Sequence, residues 1–223
     1  MTVDVYLVRH GETENNQLGV LAGRSDVRLT EKGIEQIRNM VKHHPFPQPS
    51  LVYVSPLERC RETARLVFPR YMEQNLPRIE ENLIEMDFGE YEGIPVRSFA
   101  DTGLYKGWRE QNPDTGLPGG ETFGQVERRA AEAIDRILAD CEREGIRDVG
   151  VVSHNMVIVG LLREHMTVKL DERDRFCPNG MGFHLQIEAD LWKREKRMHF
   201  IGPLPAGAPR PDPSESPYVT INK

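Results

Sequence analysis

Arg9-His10-Gly11 stands near the start of the chain, Ser153-His154-Asn155 far downstream, and Arg59 between them. A neutral imidazole is a nucleophile or general base at neutral pH. A guanidinium offers paired N–H donors that match the oxygens of a phosphate. Taken singly, each residue also has a structural reading. Arg9 suits a surface arginine at a strand end, and His10 or His154 a satisfied structural histidine. Arg59 sits in a run with Glu58, Arg61, Glu62 and Arg65 that suits a solvated helix face with i,i+4 pairs. A site exists only if the fold brings these residues to one place.

The elements that must position them alternate strand and helix. Val3, Val5 and Leu7 alternate with Asp4 and Tyr6, and Val8 leads into Arg9-His10-Gly11, a strand ending in a turn. Leu29-Thr30 precede a helical stretch with Ile34, Ile37 and Val41 on one face, ended by His43-His44-Pro45. Leu51–Val54 form a second strand that stops at Ser55-Pro56. A helix follows from about Leu57, with Cys60, Ala64 and Val67 at helical spacing. Val149–Val152 are the most apolar strand and end at Ser153-His154-Asn155; Phe183–Ile187 and Met198–Ile201 are the last strands expected. This order predicts a three-layer α/β/α fold with a mostly parallel central sheet. Ligands of such sheets bind outside the carboxyl ends of the strands, where helix N-termini add N–H donors and partial positive charge. Two arginines and two histidines converging there describe a phosphate site.

Residues 87–121 break the rhythm with glycines, prolines and aromatic pairs, and read as a lid-like excursion over the C-terminal edge of the sheet. Thr122 with Gln125 fits a capping box that opens a helix burying Phe123, Val126, Ala130, Ile134, Ile137 and Cys141. Residues 203–223 are proline-rich and read as an extended or disordered tail, which leaves a single domain over 1–202. The 223 residues are 38% hydrophobic and 29% charged, ordinary for a soluble globular chain. A net charge of −6 argues against a nucleic-acid partner, so any anion must be held by a local basic cluster. No apolar run is long enough to span a membrane, and no signal peptide precedes the first strand. Cys60, Cys141 and Cys177 lack disulfide-framework or zinc spacing, so the cytoplasm is the expected location.

The motifs resemble those of the histidine phosphatase superfamily, the phosphoglycerate-mutase-like fold. Leu7-Val8-Arg9-His10-Gly11-Glu12-Thr13 with Asn16 opens the series. Gly23, Asp26 and Leu29-Thr30-Glu31-Lys32-Gly33 follow, then Ser55-Pro56-Leu57-Glu58-Arg59 with Thr63-Ala64. Leu83-Ile84-Glu85-Met86-Asp87-Phe88-Gly89, Glu92-Gly93, Pro118-Gly119-Gly120-Glu121-Thr122 and Val151-Val152-Ser153-His154 complete it, in family order from about residue 3 to 190.

The resemblance implies that His10 is the nucleophile that becomes a phosphohistidine, and that Arg9 and Arg59 clamp the phosphoryl oxygens and disfavour protonation of His10. Asn16 is implied as a donor to the same oxygens, with Gly23, Asn155 and Trp108 in substrate binding. His154 is implied across the phosphate from His10. Glu85 is implied as the general acid that protonates the leaving alkoxide and then activates water, with Asp87, Glu90 and Glu92 as rivals. Phosphate-monoester hydrolysis asks for acceleration approaching ~10²¹-fold, of which general acid catalysis supplies roughly 10²–10⁴. Positioning and charge must supply most of the rest. No cofactor is expected, and no metal motif is present.

Within the family, Met86-Asp87-Phe88-Gly89 after the acid is similar to the phosphatases, whereas glycolytic mutases carry Arg-His-Tyr-Gly there. The surroundings of Trp108 and of Pro118-Gly119-Gly120-Glu121 are similar to alpha-ribazole phosphatases and to broad-specificity phosphatases. The expectation is therefore a metal-independent phosphomonoester hydrolase acting on a small phosphate ester, such as alpha-ribazole phosphate or a sugar or nucleoside phosphate, as monomer or homodimer. The alternatives are a phosphoglycerate-type mutase, a non-catalytic phosphate-binding regulator, or a metal-dependent hydrolase using His10, His154 and His184. Phe88, Tyr91, Tyr105, Trp108 and Phe123 either line an apolar pocket or pack the excursion onto the sheet. Asn155 stands where the family has glycine and is expected to cap the helix it opens.

Overall fold

The computed structural model describes residues 1–213, the side chains of Arg109, Glu172 and Arg173 excepted. The chain runs β1 (Thr2–Arg9), α1 (Glu14–Leu18), α2 (Glu31–His43), β2 (Leu51–Val54), α3 (Glu58–Val67), α4 (Pro69–Gln74) and β3 (Arg78–Ile79). The excursion follows, with short 3₁₀ turns and α5 (Gly103–Arg109). The rest is α6 (Phe123–Glu144), β4 (Asp148–Ser153), α7 (Asn155–Glu164), α8 (Glu172–Arg175), β5 (Gly182–Glu188), α9 (Ala189–Glu195) and β6 (His199–Leu204).

The sheet order is β3-β2-β4-β1-β5-β6. β1, β2, β3 and β4 pair in parallel, while β5 and β6 join antiparallel beyond β1. Alternation along each strand divides the side chains between two cores. Val3, Val5, Leu7, Leu51, Tyr53, Val149 and Val151 face α6, α7 and the excursion. Val8, Val52, Val54 and Val152 face α2 and α3, meeting Ile37, Cys60, Ala64 and Val67. The three expected layers are thus present. α6 begins at the expected capping box: Gln125 N–H donates to Thr122 Oγ1 and Thr122 N–H to Gln125 Oε1.

Two expectations change. The proline-rich segment does not begin at residue 203, because β6 continues through Pro203 and Leu204, paired with Phe183 and Gly182. Proline ends most elements but is tolerated on an edge strand, where its missing N–H breaks no ladder. Residues 205–213 then lie against the domain: Pro205 is buried, and Arg210 donates to the carbonyls of Phe176 and Gly182. Residues 214–223, the last of that segment, lie outside the described residues. Among the described residues no helix is long and apolar enough to cross a membrane.

Candidate active site

β1, β2 and β4 are parallel, so Arg9, Ser55 and His154 emerge at one edge of the sheet. The turn after β1 is fixed by its neighbours. His10 N–H donates to the Ser153 carbonyl (3.0 Å), and Gly11 N–H donates to Thr63 Oγ1 (2.9 Å), whose hydroxyl donates to the Arg59 carbonyl (2.7 Å). Asn179 Nδ2 donates to the carbonyls of His10 (3.1 Å) and Gly11 (3.2 Å). Neither Thr63 nor Asn179 was given a role from sequence; Thr63 appeared only as part of the motif that follows Arg59, one helical turn after it.

His10 is 4% exposed, and its Nδ1 lies 2.8 Å from the Gly11 carbonyl. A carbonyl only accepts, so the ring proton is on Nδ1 and the lone pair is on Nε2. Burial, then Arg59, then Arg9 hold the imidazole well below its usual pKa, so it is neutral at pH 7.

The two arginines are held by main-chain carbonyls and form no ion pair among the described residues. Arg9 donates from NH1 to the Cys177 carbonyl (2.8 Å), and its Nε is buried without a hydrogen-bond partner among the described residues. Arg59 donates from NH1 to Ser25 (2.7 Å) and from NH2 to Ala22 (3.2 Å) and Gly23 (2.9 Å). Their charges are therefore not neutralised by carboxylates, and a buried uncompensated charge is costly until an anion meets it.

His154 differs from expectation. It is fully buried and packs beside His10, ring centroids 5.2 Å apart, and it does not line the cavity. Arg59 Nε donates to its Nδ1 (3.3 Å), which places the proton of the neutral ring on Nε2, 2.7 Å from Ser55 Oγ. Burial, then Arg59 and His10, keep it neutral. In this structure His154 orients Arg59. Ser55, read from sequence only as a strand stop, is its second partner.

Glu85 is 5% exposed and lines the cavity. Its Oε1 accepts from the N–H of Met86 (2.8 Å) and of Met156 in the first turn of α7 (3.2 Å). Burial raises its pKa despite these bonds and the nearby arginines. Its rivals are committed elsewhere: Asp87 Oδ1 accepts from Gly89 N–H, the Glu92 carboxylate accepts from Gly23 and Ser25, and neither these two nor Glu90 reaches the cavity wall.

A third arginine, not singled out from sequence, holds the segment that carries Glu85. Arg129 donates to the carbonyls of Asn82 (2.8 Å), Ile84 (2.5 Å) and Glu85 (3.1 Å) and bonds both oxygens of Glu121 (2.8 and 3.0 Å). Glu121 also accepts from Asp87 N–H (2.9 Å), and Glu121 N–H donates back to the Asp87 carbonyl (2.9 Å), so the excursion is pinned shut at its base. Gly89 sits in this junction at φ +55°, and a Cβ there would meet the Pro118 carbonyl at 2.3 Å.

A cavity of about 470 Å³ opens over His10, Arg9, Arg59 and Glu85. Asn16, Asn155 and Trp108 line it, joined by Arg163, Arg175 and Phe176. The Asn16 side-chain oxygen accepts from Thr13 and Asn179, which ties this residue to the turn after β1. Asn155 is the first helical residue of α7; the cap position is His154, with no side-chain cap bond, so Asn155 does not cap. Gly23 lies behind the wall. Its N–H goes to Glu92 and its carbonyl to Arg59, and a Cβ would strike the Met86 carbonyl at 2.1 Å. Its role is close packing that seats Arg59. Of the five aromatics, Phe88, Tyr105 and Trp108 line the cavity, while Phe123 stacks behind Trp108 and Tyr91 against Phe99. Trp108 Nε1 is buried without a partner among the described residues.

His184 does not join the other histidines. It pairs with Asp4 (2.7 Å) opposite Tyr6, four residues before His10 and roughly 13 Å away along the strand. No group of three or more His, Cys, Asp or Glu that could hold a metal occurs among the described residues.

Comparison with known proteins agrees with this geometry. The chain is 32% identical over 196 residues to the adenosylcobalamin/alpha-ribazole phosphatase of Salmonella typhimurium, covering 84% of this chain and 87% of that one. The solved alpha-ribazole phosphatase of Shigella flexneri superposes with a TM-score of 0.66 at 26% identity, over 90% of this chain and 95% of that one. A phosphoglycerate mutase of Bacillus anthracis shares the fold, with a TM-score of 0.71 at 23% identity over 90% and 92% of the two chains. The family model for the histidine phosphatase superfamily (branch 1) matches residues 5–196; the chain belongs to that family, and its enzyme class is phosphatase.

Proposed function

We propose that the protein hydrolyses a small phosphate monoester through a phosphohistidine on His10, with no metal taking part. The observation that carries this reading is His10 itself, a buried neutral imidazole with Nδ1–H bound to Gly11 and two carboxylate-free arginines beside it. Nε2 attacks phosphorus while Glu85 gives its proton to the departing alkoxide. The Nδ1–H to carbonyl bond stabilises the ring as it takes on positive charge. Glu85, now ionised, removes a proton from water; the hydroxide breaks the P–Nε2 bond, phosphate leaves, and both residues return to their starting states. Arg9 and Arg59 bind the phosphoryl oxygens throughout, and His154 holds Arg59 in place.

The cavity wall favours a leaving group with a planar ring. Phe88, Tyr105 and Trp108 give it an aromatic wall, and the Trp108 indole N–H has no acceptor among the described residues. Alpha-ribazole phosphate or a nucleoside phosphate fits that description, whereas a plain sugar phosphate, with a puckered ring, would use the wall less well.

The test is hydrolysis of p-nitrophenyl phosphate in excess EDTA by the wild type and by His10→Ala. The expected result is activity that survives EDTA and disappears in His10→Ala. EDTA-sensitive turnover would overturn the mechanism, and an inactive wild type would favour the mutase and regulator readings instead.

A further inference from the structure

The segment after β6 reaches the catalytic arginine through one intermediate residue. Arg210 NH2 donates to the Phe176 carbonyl (2.6 Å) and NH1 to the Gly182 carbonyl (3.2 Å), and its guanidinium lies 4.8 Å from the centre of the Phe183 ring. The next carbonyl along, that of Cys177, is the acceptor for Arg9 NH1. The same stretch meets the catalytic strand at three more points. Met181 accepts from Arg9 N–H, Gly180 N–H donates to the His10 carbonyl, and Asn179 donates to His10 and Gly11. Residues 176–182 are thus a clasp around the end of β1, and Arg210 closes the clasp from the outer side. The segment also forms part of the site: Phe176 and Pro213 stand in the wall of the catalytic cavity.

Placing a guanidinium here costs desolvation that a surface arginine avoids. Two carbonyl acceptors and an aromatic face repay it only if the groups they fix stay fixed. Because among the described residues the Arg9 side chain has one main-chain tether and an unpartnered Nε, its position depends on where Cys177 is held.

We infer that Arg210 is a positioning residue for the phosphate site: by gripping residues 176 and 182 it sets the Cys177 carbonyl that aims Arg9 at the phosphoryl group. This rests on reading the His10 cavity as a phosphate site. Loss of one charge-assisted tether should weaken oxyanion binding about tenfold.

The experiment measures inorganic phosphate affinity by calorimetry and p-nitrophenyl phosphate turnover, using the full chain as wild type, Arg210→Met and Arg210→Lys, with melting curves as the folding control. The expected result is phosphate affinity and kcat/KM both about tenfold lower in Arg210→Met, with Arg210→Lys between it and the wild type because lysine can reach one carbonyl but not both. The same substitution made on an Arg9→Lys background should add less than about twofold, since its effect passes through Arg9. Affinity within twofold of wild type in both variants, or full additivity with Arg9→Lys, overturns the inference. If Arg210→Met does not fold, Arg210→Lys takes its place in the cycle with the same criteria. A wild type that binds phosphate without turnover sinks the hydrolase reading and leaves this inference to be judged on affinity; one that does not bind phosphate sinks both.

Discussion

Glu85 is the residue at which geometry decides most. It is the one acidic side chain among four candidates that reaches the cavity, and burial keeps its proton on above the usual carboxylate range. In Glu85→Gln, hydroxide formation loses its base while p-nitrophenolate, a leaving group that needs no proton, can still depart. Stopped-flow measurement should then show a burst of about one equivalent of nitrophenolate followed by a steady state slowed by roughly 10²–10⁴. Steady-state turnover at the wild-type rate would place the acid and base elsewhere. The pH profile follows from the same pair. With an alkyl phosphate, whose leaving group needs the proton, kcat/KM should rise through a pKa below 6.5, the ordinary value for His10, and fall through one above 4.5, the ordinary value for Glu85; Glu85→Gln should lose the falling limb. His10, Arg9, Arg59 and Glu85 were legible in the sequence because strand ends and motif order place them. The partners that aim them, Thr63, Asn179 and Arg129, were not, since each bonds main-chain atoms far away in sequence and carries no local periodicity. His154 shows the limit: its type and position were legible, its orientation was not.

Long elements were readable because their apolar periods repeat. β1 alternates over most of its length, β2 and β4 are continuous apolar runs buried on both faces, α2, α3 and α6 bury one face, and each was anticipated. β3 is two residues long, and α4 and α9 are six and seven, too short for a period to register. Arg129 shows what an element contributes to chemistry. From α6 it ties the segment that carries Glu85 to the helix through three carbonyls and a carboxylate pair that is 13% and 19% exposed. Arg129→Met removes these bonds and leaves Glu121 with Arg24 and the Asp87 N–H. The expected loss, from several hydrogen bonds to a charged donor, is about 3 kcal/mol, or roughly 6–12 °C in Tm for a chain of this size. Calorimetry would read it directly. Because Glu85 is in the freed segment, kcat should fall together with Tm, which a purely peripheral ion pair would not cause.

At the scale of the whole molecule, two buried neutral histidines set the acid limit of stability. Both His10 and His154 have folded pKa values well below 6.5, so below pH 6.5 the unfolded chain binds protons that the folded chain refuses. Stability is therefore fully present above pH 6.5 and is lost as pH falls, by about 1.4 kcal/mol per pH unit for each histidine. Glu85 runs the other way: its raised pKa makes folding most favourable below pH 4.5 and costs stability as pH rises through the folded value. Chemical denaturation between pH 7 and 5 should show the histidine slope, and His154→Gln should halve it. The base of the excursion carries a different implication. Because Asp87 and Glu121 are tied to each other and to α6, the ends of the segment between them are already closed, and doubling such a loop costs only about 0.6 kcal/mol. The substrate-facing walls supplied by Phe88, Tyr105 and Trp108 are thus a cassette on a fixed frame. Over evolutionary time such a chain can trade one metabolite for another by rewriting that insert, while the machinery that breaks the phosphate ester is inherited unchanged.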